Sequence, residues 1–250
     1  MCYAESTIST MMKHMWYTEG GGLELMRDMF LEEYGVVLFP STPLIGQTYW
    51  YTNDEINTVE DMLNLKVRSA GARSLTADAA GMQVVTLPGG EIVPAMERGV
   101  IDACEFSDAY SDAGIGFLDV ADYLYYTRRA IGGHLDFAVN KASWDALPPD
   151  LQEAVERASR DVADYALTRS TLNNLRIWKE AQDMGKEIRL LPLEVEEYMH
   201  QSNLEFYEEW GQREPMVKVV LDSMHDFAEK YEHLEQIAAR GVFHVKPLED

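Results

Sequence analysis

The segment Pro148–Gly185 reads PPDLQEAVERASRDVADYALTRSTLNNLRIWKEAQDMG, with no proline or glycine between the opening Pro-Pro and the closing glycine. Leu151, Val155, Ala158, Val162, Tyr165, Ala166, Leu172, Leu175 and Trp178 return mostly at steps of three or four, the spacing of one helical face. Prolines suit the first turn of a helix and a glycine suits its stop. About 36 residues at 1.5 Å each make a helix roughly 54 Å long. One compact lobe is too small to cover that length, so the helix is expected to lie across two lobes and brace both.

Upstream of it, short apolar runs alternate with helical stretches. Strands are expected at VVLFP (36–40), LKVRS (65–69), MQVVTLP (82–88), VIDACEF (100–106) and HLDFAVN (134–140). TVEDMLNL, ARSLTADAAG and GGEIVPAMERG lie between them, with Thr58 and Asp61 spaced as a helix start. Strand, helix, strand in succession means an α/β fold with a largely parallel sheet. EIRLLP (187–192) reads as a further strand, followed by helices near 194–210 and 215–233. The expected organisation is one lobe from 1–45 and 134–185, including the long helix over 148–185. A second lobe spans 46–133, and 186–250 packs across both. Grooves between such lobes are where ligands bind.

Acidic side chains outnumber basic ones 43 to 21, a formal charge of -22. That balance argues against nucleic acid as a partner. It also means that a bound anion requires a local cluster of positive groups. Cys2 and Cys104 stand in no CxxC or Cys/His array, and the six histidines make no HExxH, so no transition-metal site is indicated. Neither a P-loop nor a GxSxG motif is present. No run of eighteen apolar residues exists to span a membrane. The first 21 residues lack the basic and apolar regions of a signal peptide.

VRSAG (67–71), PGGEIVPAMERGVIDACEF (88–106), GIGF (114–117) and FAVNKASWDALPPDLQEAVERA (137–158), in that order, resemble a substrate-binding protein of a tripartite ATP-independent periplasmic (TRAP) transporter, DctP type. The resemblance runs from about Tyr17 to Ala239 and points to the branch that binds 2-oxo acids and related carboxylates. It implies a two-lobed, type II periplasmic-binding-protein-like fold with a long helix spanning both lobes. It also implies a first lobe that is incomplete in this chain, since relatives carry further residues and a leader ahead of the point matching Tyr17.

The resemblance places Arg68 at the ligand arginine. A guanidinium offers paired donors that match a carboxylate, which lysine does not reproduce. Glu105 and Phe106 stand where relatives carry Glu-Trp, and in those relatives the glutamate and neighbouring backbone hold a sodium or calcium ion bridging to the ligand. Here Phe106 replaces the Trp, and Arg128 and Arg129 stand near aromatic positions. A pair of arginines close to the groove would suit a second carboxylate. Gln47 and Tyr110 complete the candidate site, with Asp108 and Asp112 either capping helices or joining the pocket. What the resemblance implies is a periplasmic binder, not an enzyme, that hands a 2-oxo acid, hydroxy acid or dicarboxylate to TRAP membrane subunits without a required cofactor. It leaves a homodimer open. The competing class is a cytosolic α/β enzyme in which Arg68 positions a carboxylic acid and Glu105 acts as base. A third is a ligand-sensing module working through a protein partner.

Overall fold

The computed structural model describes residues 2–6 and 9–242. Met1, Thr7, Ile8 and 243–250 lie outside the described residues, as do His244 and the side chain of Cys2. The chain begins with β1 (Cys2–Ser6), α1 (Thr10–Glu19), α2 (Gly22–Tyr34) and β2 (Val36–Pro43). It continues through β3 (Trp50–Thr52), α3 (Val59–Asn64), β4 (Lys66–Arg68), α4 (Ala72–Ala79), β5 (Gln83–Val85), α5 (Gly89–Glu97) and β6 (Ala103–Cys104). Then come α6 (Ala109–Ala113), α7 (Phe117–Val120), β7 (Tyr123–Tyr126), β8 (Ala130–Asn140), α8 (Lys141–Asp145) and α9 (Pro149–Asp183). β9 (Glu187–Leu190), α10 (Leu193–Arg213) and α11 (Pro215–Val242) close the described chain.

The strands form two sheets. One has the order β1-β8-β2 and the other β5-β4-β6-β3-β7-β9. The larger sheet is largely parallel, with β3 the one strand that runs against the other five. β4 runs parallel to β5 and β6, and β7 parallel to β9, but β3 is antiparallel to both β6 and β7. Both pairings in the smaller sheet are antiparallel. The sequence does not announce β3 and β7 as strands, because WYT and YLYY are short aromatic runs with no alternation. β3 is fully buried, β7 is buried at its two middle residues, and both pair with partners distant in sequence.

Local chemistry explains several boundaries. Thr58 caps α3: its side chain accepts from the Asp61 amide while the Asp61 carboxylate accepts from the Thr58 amide. The two sheets are joined by residues 44–49, between β2 and β3, and by 127–129, between β7 and β8. Gly46 in the first of these segments and Gly132, early in β8 just beyond the second, have positive φ, 65° and 101°. A Cβ on Gly132 would come within 2.7 Å of the Leu44 carbonyl, so only glycine lets β8 pass this close to the 44–49 segment.

Each lobe has its own core. Trp50, Ile56, Met62, Val67, Leu191 and Met199 fill one face of the larger sheet, and Tyr51, Ile92, Ile101, Phe117 and Leu124 fill the other. Met12, Trp16, Leu23, Met26, Leu38, Val220 and Met224 form the smaller lobe's core from α1, α2, β2 and α11. α9 packs on β2 of one sheet and on β9 of the other, so it does bridge both lobes. The face it turns inward differs from its apolar stripe. Leu151, Val162, Tyr165, Leu172 and Leu175 are exposed, whereas Ser159, Ala163, Asn174 and Ala181 are buried. Small and polar residues face inward because the helix lies tightly on backbone: Ser159 donates to the Pro40 carbonyl and Asn174 to that of Ile45.

Candidate functional site

β4 and β6 are parallel neighbours, so their C-terminal ends deliver Arg68 and Glu105 to the same edge of the larger sheet. That edge is where open α/β sheets place their ligands. It is also where the joining segment 44–49 arrives, because β3 enters the sheet there. Gln47 forms a bridge with Asp108 just beyond β6. The seam between the lobes therefore runs past Arg68.

Arg68 is 5% exposed and its guanidinium is held by main chain. Its Nε and Nη2 donate to the Leu87 carbonyl at 3.1 and 3.0 Å, and Nη1 donates to the Glu105 carbonyl at 2.7 Å. These bonds use three of the five N–H groups that an arginine carries. The remaining two lie one on each terminal nitrogen, which is the fork that grips a carboxylate. The Phe106 ring lies 5.4 Å from the guanidinium carbon. Phe106 itself is half exposed, packs on Phe117 and comes so close to Gly89 that a Cβ there would meet the ring at 2.8 Å.

Glu105 is 3% exposed and fully engaged. Oε1 accepts from the Ser69 hydroxyl at 2.8 Å and the Ala70 amide at 3.2 Å. Oε2 accepts from Gln47 at 3.2 Å and from Nη1 of Arg73 at 3.4 Å. Arg68 Nη1 stands 3.8 Å from Oε1. A buried carboxylate is tolerated here because four donors hold it, one of them the Arg73 guanidinium, and the Arg68 guanidinium stands close by.

Arg73 was not singled out in the sequence. It is as buried as Arg68, lies 4.9 Å over Tyr49 and 5.3 Å over Trp50, and donates to the carbonyls of Thr48 and Tyr49. A signal existed. Arg73 falls in the first turn of α4, where the helix dipole disfavours a positive charge. The Thr48 hydroxyl ties the joining segment to the larger sheet, since it meets both Tyr51 and Tyr126, and Tyr126 in turn accepts from Trp178 of α9. Burial pushes the Tyr126 hydroxyl up to about 12.

The other candidates divide. Asp108 caps α6 by accepting from the Ser111 amide. Asp112 is wholly buried and accepts from the Ser107 amide. Burial pushes its carboxyl up to about 8, with the charges of Asp108 and Glu105 adding to the rise. Tyr110 is 51% exposed and is tied to α9 through its amide, which donates to Asn174. Arg128 and Arg129 do not join the cluster. Arg128 donates to the Leu191 carbonyl and to Glu196, and Arg129 to Glu197, so both are drawn onto α10.

Oε1 of Gln47 is buried with no hydrogen-bond partner, an oxygen beside Glu105 of the kind that a hard cation such as sodium or calcium binds. The Glu105 carboxylate has about four lone-pair sites, and four donors already occupy them. Among the described residues, no group of three or more His, Cys, Asp or Glu side chains is arranged to hold a metal.

The model of the DctP family, bacterial extracellular solute-binding protein family 7, matches residues 16–213. A monocarboxylate 2-oxoacid-binding periplasmic protein of Nostoc sp. is 27% identical over 218 residues, which are 81% of this chain and 60% of that protein. The chain thus spans less than two thirds of that relative's length. A TRAP periplasmic solute-binding protein from Pseudoalteromonas atlantica, with bound sodium and pyruvate, superposes with a TM-score of 0.88 at 27% identity, covering 99% of this chain and 75% of that one. A TRAP transporter solute-binding protein from Bordetella bronchiseptica, a dimer with calcium and picolinate at one site, superposes at 0.85 with 25% identity, covering 94% of this chain and 70% of that one.

Proposed function

The chain belongs to the DctP family of bacterial extracellular solute-binding proteins, and from that premise we propose that it captures a small organic acid outside the cytoplasm and delivers it to the membrane subunits of a TRAP transporter. Members of this family bind solutes and are not enzymes, which sets aside the enzymatic alternative. The observation that carries the reading is the state of Arg68. It is buried at the seam between lobes, fixed by the carbonyls of Leu87 and Glu105, and retains one uncommitted N–H on each terminal nitrogen.

A fixed fork loses little freedom when it meets a carboxylate, and removal of water by closing lobes strengthens the pair. Closure follows ligand only if the shut state makes better contacts than the open one. Glu105, beside Arg68, accepts from Gln47 of the joining segment 44–49, so a ligand held by Arg68 lies next to the element that bends.

The ligand proposed is a monocarboxylate of the 2-oxo acid kind. Support comes from the similarity to the Nostoc protein and from the commitment of Arg128 and Arg129 to α10, which leaves no second arginine pair at the seam for another carboxylate. Titration calorimetry with pyruvate and with succinate tests this. Pyruvate is expected to bind at least about tenfold more tightly, and the Arg68→Ala variant to lose about 2–5 kcal/mol of that binding. Equal affinity for the two acids contradicts the ligand class, and full binding by Arg68→Ala contradicts the role of Arg68.

A further inference from the structure

Asn174 lies well inside α9, where an asparagine is a poor helix former because its side chain competes for backbone groups. It is 1% exposed, and both ends of its amide are used outside the helix. Nδ2 donates to the Ile45 carbonyl at 2.6 Å, and Oδ1 accepts from the Tyr110 amide at 3.0 Å. Trp178 stands one turn further along the same face of α9. Its indole nitrogen donates to the Tyr126 hydroxyl at 2.6 Å, which lies 2.9 Å from the Thr48 hydroxyl. Gly46 is pressed against both residues, since a Cβ there would come within 3.2 Å of the Asn174 amide and of the Trp178 ring. The joining segment 44–49 is therefore anchored to α9 at Ile45 and, through Tyr126, at Thr48. Between these anchors lies Gln47, the residue that reaches Glu105.

We propose that Asn174 is a positioning residue of the organic-acid site. One amide holds the joining segment and the first turn of α6 to a single point on the helix that bridges both lobes, and so sets Gln47 and Glu105 against each other beside the Arg68 fork. This rests on the organic-acid reading of the same site. Ile45 lies outside regular secondary structure, so its carbonyl depends on a side chain for its partner. Removal of a side chain that bonds two segments at once lets each move without the other, and apparent affinity falls with the fraction of molecules in which the site is assembled. Ser159 provides the contrast. It makes the same kind of bond from α9 to a backbone carbonyl, but its acceptor is Pro40 within β2 of the smaller lobe.

The test measures pyruvate affinity by calorimetry, together with the melting temperature, for wild type, Asn174→Ala and Ser159→Ala. Both variants lose a buried hydrogen bond and are expected to melt lower. Only Asn174→Ala is expected to bind pyruvate more weakly, by about tenfold, with Ser159→Ala within about twofold of wild type. Wild-type affinity in Asn174→Ala overturns the proposal, and so does an equal loss of affinity in the two variants. If Asn174→Ala does not fold, Asn174→Asp, which keeps the acceptor for Tyr110 and loses the donor to Ile45, is read in the same way. A wild type that does not bind pyruvate would count against the organic-acid reading itself. The role of Asn174 is then decided by hydrogen exchange of the acid-free protein: faster exchange in the variant at both 44–49 and Tyr110 supports the proposal, and unchanged exchange at either overturns it.

Discussion

Two pairs of arginines lie close to the joints between the lobes, and they have opposite fates. Arg68 and Arg73 are buried, held by backbone carbonyls, and share one carboxylate between them. Arg128 and Arg129 lie on the other joining segment, are partly exposed, and each has a glutamate of α10 to itself. The first pair has more positive charge and more donors than its surroundings consume. The second is consumed. Position near a groove therefore does not make an arginine a ligand group; what matters is whether its neighbours leave N–H groups unspent.

The largest test of this contrast is Glu105→Gln. Removing one partner of a buried ionic cluster leaves uncompensated charge and costs about 3–5 kcal/mol, which for a chain of this size lowers the melting temperature by roughly 6–20 °C. A change within 2 °C, measured by thermal denaturation, would mean that Glu105 is not the anion that makes two buried guanidiniums tolerable.

Asp112 gives a smaller, pH-dependent effect. Its folded value, pushed up to about 8, lies above the ordinary carboxylate range, so between about pH 4 and 8 the folded chain holds a proton that the unfolded chain releases. Stability from this group is full below about pH 4 and declines as pH rises through 8. Asp112→Asn is expected to raise the melting temperature at pH 8 relative to wild type and to change it little at pH 4. A variant that loses stability equally at both values would break this reading.

The smallest expected effect belongs to the second pair. Arg129→Ala removes an ion pair whose glutamate is largely exposed, so about 0–1 kcal/mol of stability is expected to go, with pyruvate affinity unchanged within about twofold. Loss of binding in this variant would bring Arg129 back to the ligand.

That Arg68 and Glu105 lie together was legible in the sequence because each ends a short apolar run, and adjacent parallel strands bring such ends together; the ligand role given to Arg68 came from the family resemblance. Arg73 was not legible, because its partners are carbonyls of Thr48 and Tyr49, more than twenty positions upstream, on a segment whose path depends on the antiparallel strand β3. The partners of Arg128 and Arg129 were hidden for the same reason. Their acceptors Glu196 and Glu197 lie 68 residues downstream, on a helix whose docking the sequence does not announce. The length of α9 and its bridging role followed from an uninterrupted helical period. Its inward face did not, since close backbone contact selects Ser159, Ala163 and Asn174 over the larger apolar residues.

The most direct measurement is a crystal structure of the chain grown with pyruvate. The expected result is a carboxylate paired with both terminal nitrogens of Arg68 at about 2.7–2.9 Å, with Arg73 still on Glu105. A carboxylate seated on other residues, with the Arg68 fork facing only water, would contradict it.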